Sequence, residues 1–168
     1  MAQVKGFLVA LMGVLLCPHL GVAETIALDE RFMKDAARGN AAEMQMGELA
    51  KTKAASAGVR NFAERLIADH SQANSKLKEL ANKRNIELPA ELSVAQKSHF
   101  SMLEGLSGTA FDSAFTTHMI NDHQQDIANF EKHADVTQDT ELKAFATSTL
   151  PTLREHLSIA KQLKSDTK

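Results

Sequence analysis

The chain has 168 residues, with 19 basic and 21 acidic side chains, one cysteine, and neither tryptophan nor tyrosine. The charges are interspersed and no Lys/Arg run occurs, which excludes nucleic acid as a partner. The phenylalanines fall mostly on apolar stripes, so no aromatic platform is left for sugars or bases.

Residues 1–23 join a basic start at Lys5 to an apolar run from Gly6 to Cys17 and the small-residue ending Gly21-Val22-Ala23. This pattern predicts a secretory signal peptide cleaved after Ala23. The run of about 12 residues is too short for a bilayer span, which needs roughly 20. Leu16 before Cys17 is too bulky for lipoprotein processing. Export would carry the mature chain, residues 24–168, across the inner membrane into the periplasm, as one domain of about 145 residues with no transmembrane segment. An envelope protein is then the partner class to expect. Cleavage also removes the sole cysteine, so a metal site in the mature chain must use nitrogen and oxygen ligands.

Ala, Leu, Lys, Glu and Gln dominate, and no segment alternates apolar with polar residues for long; the expected class is all-α. A first helix is predicted over Leu28–Ala55, with Phe32, Ala36, Gly39, Glu43, Met46, Ala50 and Ala54 on one face. Ser56-Ala57-Gly58 breaks it. The second carries Val59, Phe62, Ala63, Leu66, His70, Ala73, Leu77, Leu80 and Ala81. Asn85–Leu92, with Pro89, reads as a loop, and Ser93 caps a short helix to about Glu104. Ser107 or Thr109 caps a third long helix, Ala110–Ala134, whose stripe is Phe111, Phe115, Met119, His123, Ile127 and Phe130. After a turn at Asp135–Asp139, the fourth spans Thr140–Leu163 and buries Leu142, Phe145, Leu150, Leu153, His156 and Ala160, with Pro151 inside it as a kink. Two antiparallel hairpins joined by a long crossover that holds a short helix is the connectivity of a ferritin-like four-helix bundle.

The series Phe32, Ala36-Ala37-x-Gly39, Glu43, Gly47-x-Leu49-Ala50, then Phe62-Ala63, Asp69-His70, Asn74 and Leu77, resembles a bacterial family named only as domain of unknown function 4142. Phe111-Asp112, Met119, His123 and Phe130, then Phe145-Ala146 and Leu150-Pro151-x-Leu153-x-x-His156, are similar to that family's second half. The resemblance spans about Phe32 to Leu163. It implies an exported ferritin-like bundle and no established activity.

Four polar side chains interrupt apolar stripes: Glu43, His70, His123 and His156, one on each long helix. At about 100° per residue, Glu43, His70 and His156 fall mid-stripe and His123 within its stripe, whereas His118 and Asp122 are displaced and stand as alternatives for the third helix. Glu43 and His70 lie 14 and 13 residues from a turn centred near Ala57, at matching heights. His123 and His156 lie 13 and 20 residues from a turn placed near Val136 and are expected to miss each other unless Pro151 alters the register. Asp69 and Asp122 are expected to face solvent or to pair locally.

Two readings follow. In the first, the Glu/His cluster is a satisfied buried pairing that serves stability or partner binding. In the second, it holds one transition metal ion, Zn, Fe, Mn or Cu. Ferritin-type diiron chemistry is disfavoured, because Ile67 and Leu153 stand where Glu-x-x-His would need carboxylates. Met33, Met44 and Met46 read as core filling. Without Cys-x-x-Cys-His there is no covalent haem site, and no Gly-x-Ser-x-Gly elbow marks a nucleophile, so an enzyme is not the expectation.

Overall fold

In a computed structural model that describes residues 19–166, α1 (His19–Lys53) already runs as helix through the last residues of the predicted leader. Residues 1–18 of that leader lie outside the described residues. The helix starts earlier than Leu28 because no breaker separates Gly21 from Asp29, and of the side chains described between Gly21 and Leu28 all but Thr25 are exposed. Burial begins at Asp29 and continues through Met33, Ala37 and Asn40. It therefore lies one residue beyond the predicted Phe32, Ala36 and Gly39 stripe, joining it at Glu43. Phe32 instead lies half-buried at the flank, stacked on His133 with ring centroids 3.8 Å apart.

The break after α1 is held from three sides. Ser56 caps α2 (Ala57–Lys83) by accepting from Gly58 N. The buried Asp112 carboxylate accepts from the backbone N–H of Ala55 at 3.1 Å and of Ser56 at 2.8 Å, and Arg60 donates to the Ala54 and Ala55 carbonyls. Exposed helix-end groups are thereby satisfied. At the other end of α2, Asn85 takes φ 53° and Ile86 N bonds Ala81 O, a left-handed stop that Asn tolerates. Arg84 then reaches the Asp139 carboxylate at 2.8 Å and the Leu80 carbonyl.

α3 (Val94–Glu104) begins with the expected Ser93 cap, completed by Gln96 as a capping box. α4 (Gly108–Val136) opens on Gly108 at φ 63°, a conformation that costs glycine nothing, and runs two residues past the predicted Ala134. Asp139 accepts from the N–H groups of Glu141 and Leu142, starting α5 (Thr140–Asp166), which continues through the exposed Pro151.

α1 packs along α2 and α4 along α5; α2 also meets α5, α1 meets α4, and α3 lies against α1 and α4. The apolar interior forms two clusters. One centres on Met46, Val59, Phe62, Leu66, Phe111, Phe115, Met119 and Ala160. The other centres on Met33, Leu77, Leu80, Phe130, Leu142, Phe145 and Leu153. Between them, along every long helix, lies one of Glu43, His70, His123 and His156, so a polar layer divides the core. Among the described residues no helix is long and apolar enough to cross a membrane.

Candidate metal centre

The sequence places each of the four polar residues between an apolar residue of one cluster and an apolar residue of the other, and helix packing brings the four together. Glu43, His123 and His156 are fully buried and His70 nearly so. His70 Nε2 faces Glu43 Oε2 in close contact. His123 Nε2 lies 3.6 Å from the same oxygen and 3.1 Å from His156 Nδ1. One ligating nitrogen from each of the three imidazoles falls within 4.8 Å of the others.

His123 and His156 therefore meet, contrary to the height argument. α4 ends at Val136 and α5 starts at Thr140, so the turn centres on Gln138, and the two histidines lie 15 and 18 residues from it. A three-residue offset is about 4.5 Å along a helix axis, within side-chain reach. The earlier mismatch came from centring the turn on the last residue of a helix, and Pro151 need not be invoked.

The far side of each ring fixes its proton. His123 Nδ1 donates to the Met119 carbonyl at 2.9 Å, and a carbonyl only accepts. His70 Nδ1 is 2.9 Å from Asn40 Oδ1, and His156 Nε2 is 2.8 Å from Asp69 Oδ2, again acceptors. With those outer nitrogens donating, His70 Nε2, His123 Nε2 and His156 Nδ1 turn lone pairs inward, the first two toward Glu43 Oε2 and the third toward His123 Nε2. Both Glu43 oxygens and His70 Nε2 are buried without a well-formed hydrogen bond. Burial pushes the Glu43 carboxyl up to about 8, with Asp122 adding to the rise and His123 opposing it. Burial likewise holds His70 and His156 at about 4 and lowers His123.

Of the two alternatives on α4, His118 stands outside this group, half-buried with its ring 4.6 Å from that of the exposed His99 on α3. Asp122 does not face away: an oxygen of Asp122, one of Asp126 and one of Glu43 lie within 4.8 Å of one another. Asp69 pairs with Arg65 at 3.4 Å as expected locally, yet it also holds His156. Sequence reasoning missed Asp126, Asn40 and the buried Asp29–His133 pair, separated by 3.2 Å. The four-residue spacing of Asp122 and Asp126 was the one signal available, since it sets both on one helix face.

Helices alone, packed around an internal layer of imidazole and carboxylate, define an all-α protein with a buried polar site. The chain belongs to the family described as Domain of unknown function (DUF4142), which matches residues 18–163. It is similar to the crystal structure of a DUF305 fragment from Deinococcus radiodurans, with a TM-score of 0.75 and 13% identity over 83% of this chain and 96% of that one. At that identity the likeness shows the fold. No curated protein matches the chain.

Proposed function

We propose that this protein is an exported, ferritin-like four-helix bundle that binds one transition metal ion through Glu43, His70, His123 and His156. The observation that carries the reading is the convergence of three imidazole nitrogens on one another, two of them facing the buried Glu43 carboxylate and each ring held from behind by an acceptor. Ligating histidines carry this kind of support, which fixes the tautomer and raises ligand basicity. Three nitrogens and one oxygen without thiolate suit Zn, Fe, Mn or Cu. Four protein ligands sealed from solvent favour holding the metal over catalysis, for which a position would stay open. The N-terminal pattern of Lys5, residues 6–17 and Gly21-Val22-Ala23 supports a periplasmic location.

A second reading, a structural cluster serving stability or partner binding, is favoured by the close Glu43–His70 contact, because one proton shared there satisfies both groups. It leaves His123 Nε2 and His156 Nδ1 lone pair to lone pair unless a further proton is bound. Metal analysis and competition titration of the untagged mature protein decide between the two. One equivalent of tightly bound Zn, lost in both His70→Ala and His156→Ala, is expected. Wild-type protein that takes up no metal, with variants that lose only thermal stability, would leave the structural reading standing alone.

A further inference from the structure

Glu43 stands between two groups: its Oε2 faces His70 and His123 of the imidazole cluster, and its carboxylate groups with Asp122 and Asp126. We infer that a second divalent cation binds beside the first, held by Glu43, Asp122 and Asp126, with the Glu43 carboxylate bridging the two ions. The inference rests on the metal reading of the histidine cluster and adds a neighbouring site of different chemistry.

Asp122 and Asp126 stand one turn apart on α4, so both carboxylates project to the same side. Asp126 reaches across to α1, where its Oδ2 lies 3.9 Å from the position a Cβ would take on Gly39, one turn before Glu43. Glu43 is fully buried and neither of its oxygens has a donor; one faces His70 and His123, and the Asp122 beside it is a further acceptor. Three carboxylates so placed repel one another unless protons or a cation lie between them. Consistent with that crowding, burial and the neighbouring Glu43 and Asp122 charges raise Asp126 well above the usual carboxylate range. Of the basic groups that line the same cleft as Asp126, Arg31 pairs with Asp35 and His133 with Asp29, and Lys132 lines it as well.

The two sites would differ in kind. The inner one is nitrogen-rich and closed. The outer one offers oxygens only, which suit Mn(II), Mg(II) or Fe(II). It also has a way out, because Asp126 lines a cleft of about 490 Å³ between α1 and α4 that Phe32, Gln125, Asn129 and His133 share. Water can complete the coordination there. In place of the Glu-x-x-His pattern that Ile67 and Leu153 disfavour, this second site takes two carboxylates from α4 and shares Glu43 of α1.

The test loads the mature protein with one equivalent of Zn(II) and then titrates Mn(II), reading free Mn(II) by its six-line EPR signal. One Mn(II) bound per Zn-loaded chain is expected, with binding weakened at least tenfold in Asp126→Asn and Asp122→Asn while their Zn content stays at one. Both residues are half-buried, so circular dichroism of these isosteric variants, with Asp126→Ala as a second truncation, confirms that loss is not unfolding. Zn uptake with all Mn(II) left free, or unchanged Mn(II) affinity in Asp126→Asn, overturns this inference and leaves the histidine site intact. Failure to take up Zn at all overturns the reading beneath it.

Discussion

At the scale of single residues, the site depends on what stands behind the imidazoles as much as on the imidazoles themselves. Asn40 illustrates this: its Oδ1 accepts from His70 Nδ1, and so decides which nitrogen of His70 faces Glu43. Replacing Asn40 with Leu, which fills similar space without the acceptor, is expected to weaken Zn affinity about 10- to 100-fold, measured by competition with a chromophoric chelator. Unchanged affinity would show that the ring is positioned by packing alone. Glu43, His70, His123 and His156 were legible in the sequence because a polar residue on an apolar stripe is conspicuous. Asn40, Asp69 and Asp126 were not: Asp69 and Asp126 sit at stripe margins, where polar residues are what a solvated face requires, and Asn40 falls on the buried face only once the phase of α1 is set. Only the crossing of a neighbouring helix gives them a partner.

At the scale of elements, the order of four long helices and one short one could be read from period and punctuation, with Ser56, Ser93 and Asn85 marking ends that the structure keeps. The phase of the first half of α1 could not, because residues 32 and 33 are both apolar and only the partner helix decides which is buried. The approach of α1 to α2 was equally hidden. It runs through Gly47, where an added Cβ would stand 2.9 Å from Ile67 Cγ1 and 3.2 Å from the Ala63 carbonyl oxygen. Gly47→Ala should gain about 1 kcal/mol of helix propensity and lose more, about 1–3 kcal/mol, to overpacking against backbone that cannot yield. Urea denaturation is expected to show net destabilisation. A more stable variant would mean that the two helices separate freely at this crossing.

At the scale of the whole molecule, the buried titratable groups set opposite slopes. Burial lowers five imidazoles, those of His70, His118, His123, His133 and His156, below 6.5; it raises Glu43 to about 8 and Asp126 well above the usual carboxylate range. Unfolding therefore takes up protons at the imidazoles and releases them at the carboxyls. From about pH 4.5 to 6.5 the imidazoles outnumber the carboxyls, so stability of the metal-free protein rises with pH. Above 6.5 the imidazoles are neutral in both states, and stability falls toward pH 8 by about 1.4 kcal/mol per pH unit for each proton released. Denaturation in chelator should show a maximum near pH 6.5 that Zn abolishes, because bound ligands are already deprotonated; stability still climbing at pH 8 in chelator would mean that Glu43 is ionised without a metal. The divided core carries a last consequence. Each side of the polar layer has its own apolar nucleus, so the seam between them can part for a moment while both clusters stay dry. An ion could then enter or leave by breathing of the middle, and the fold needs no standing channel to its own centre.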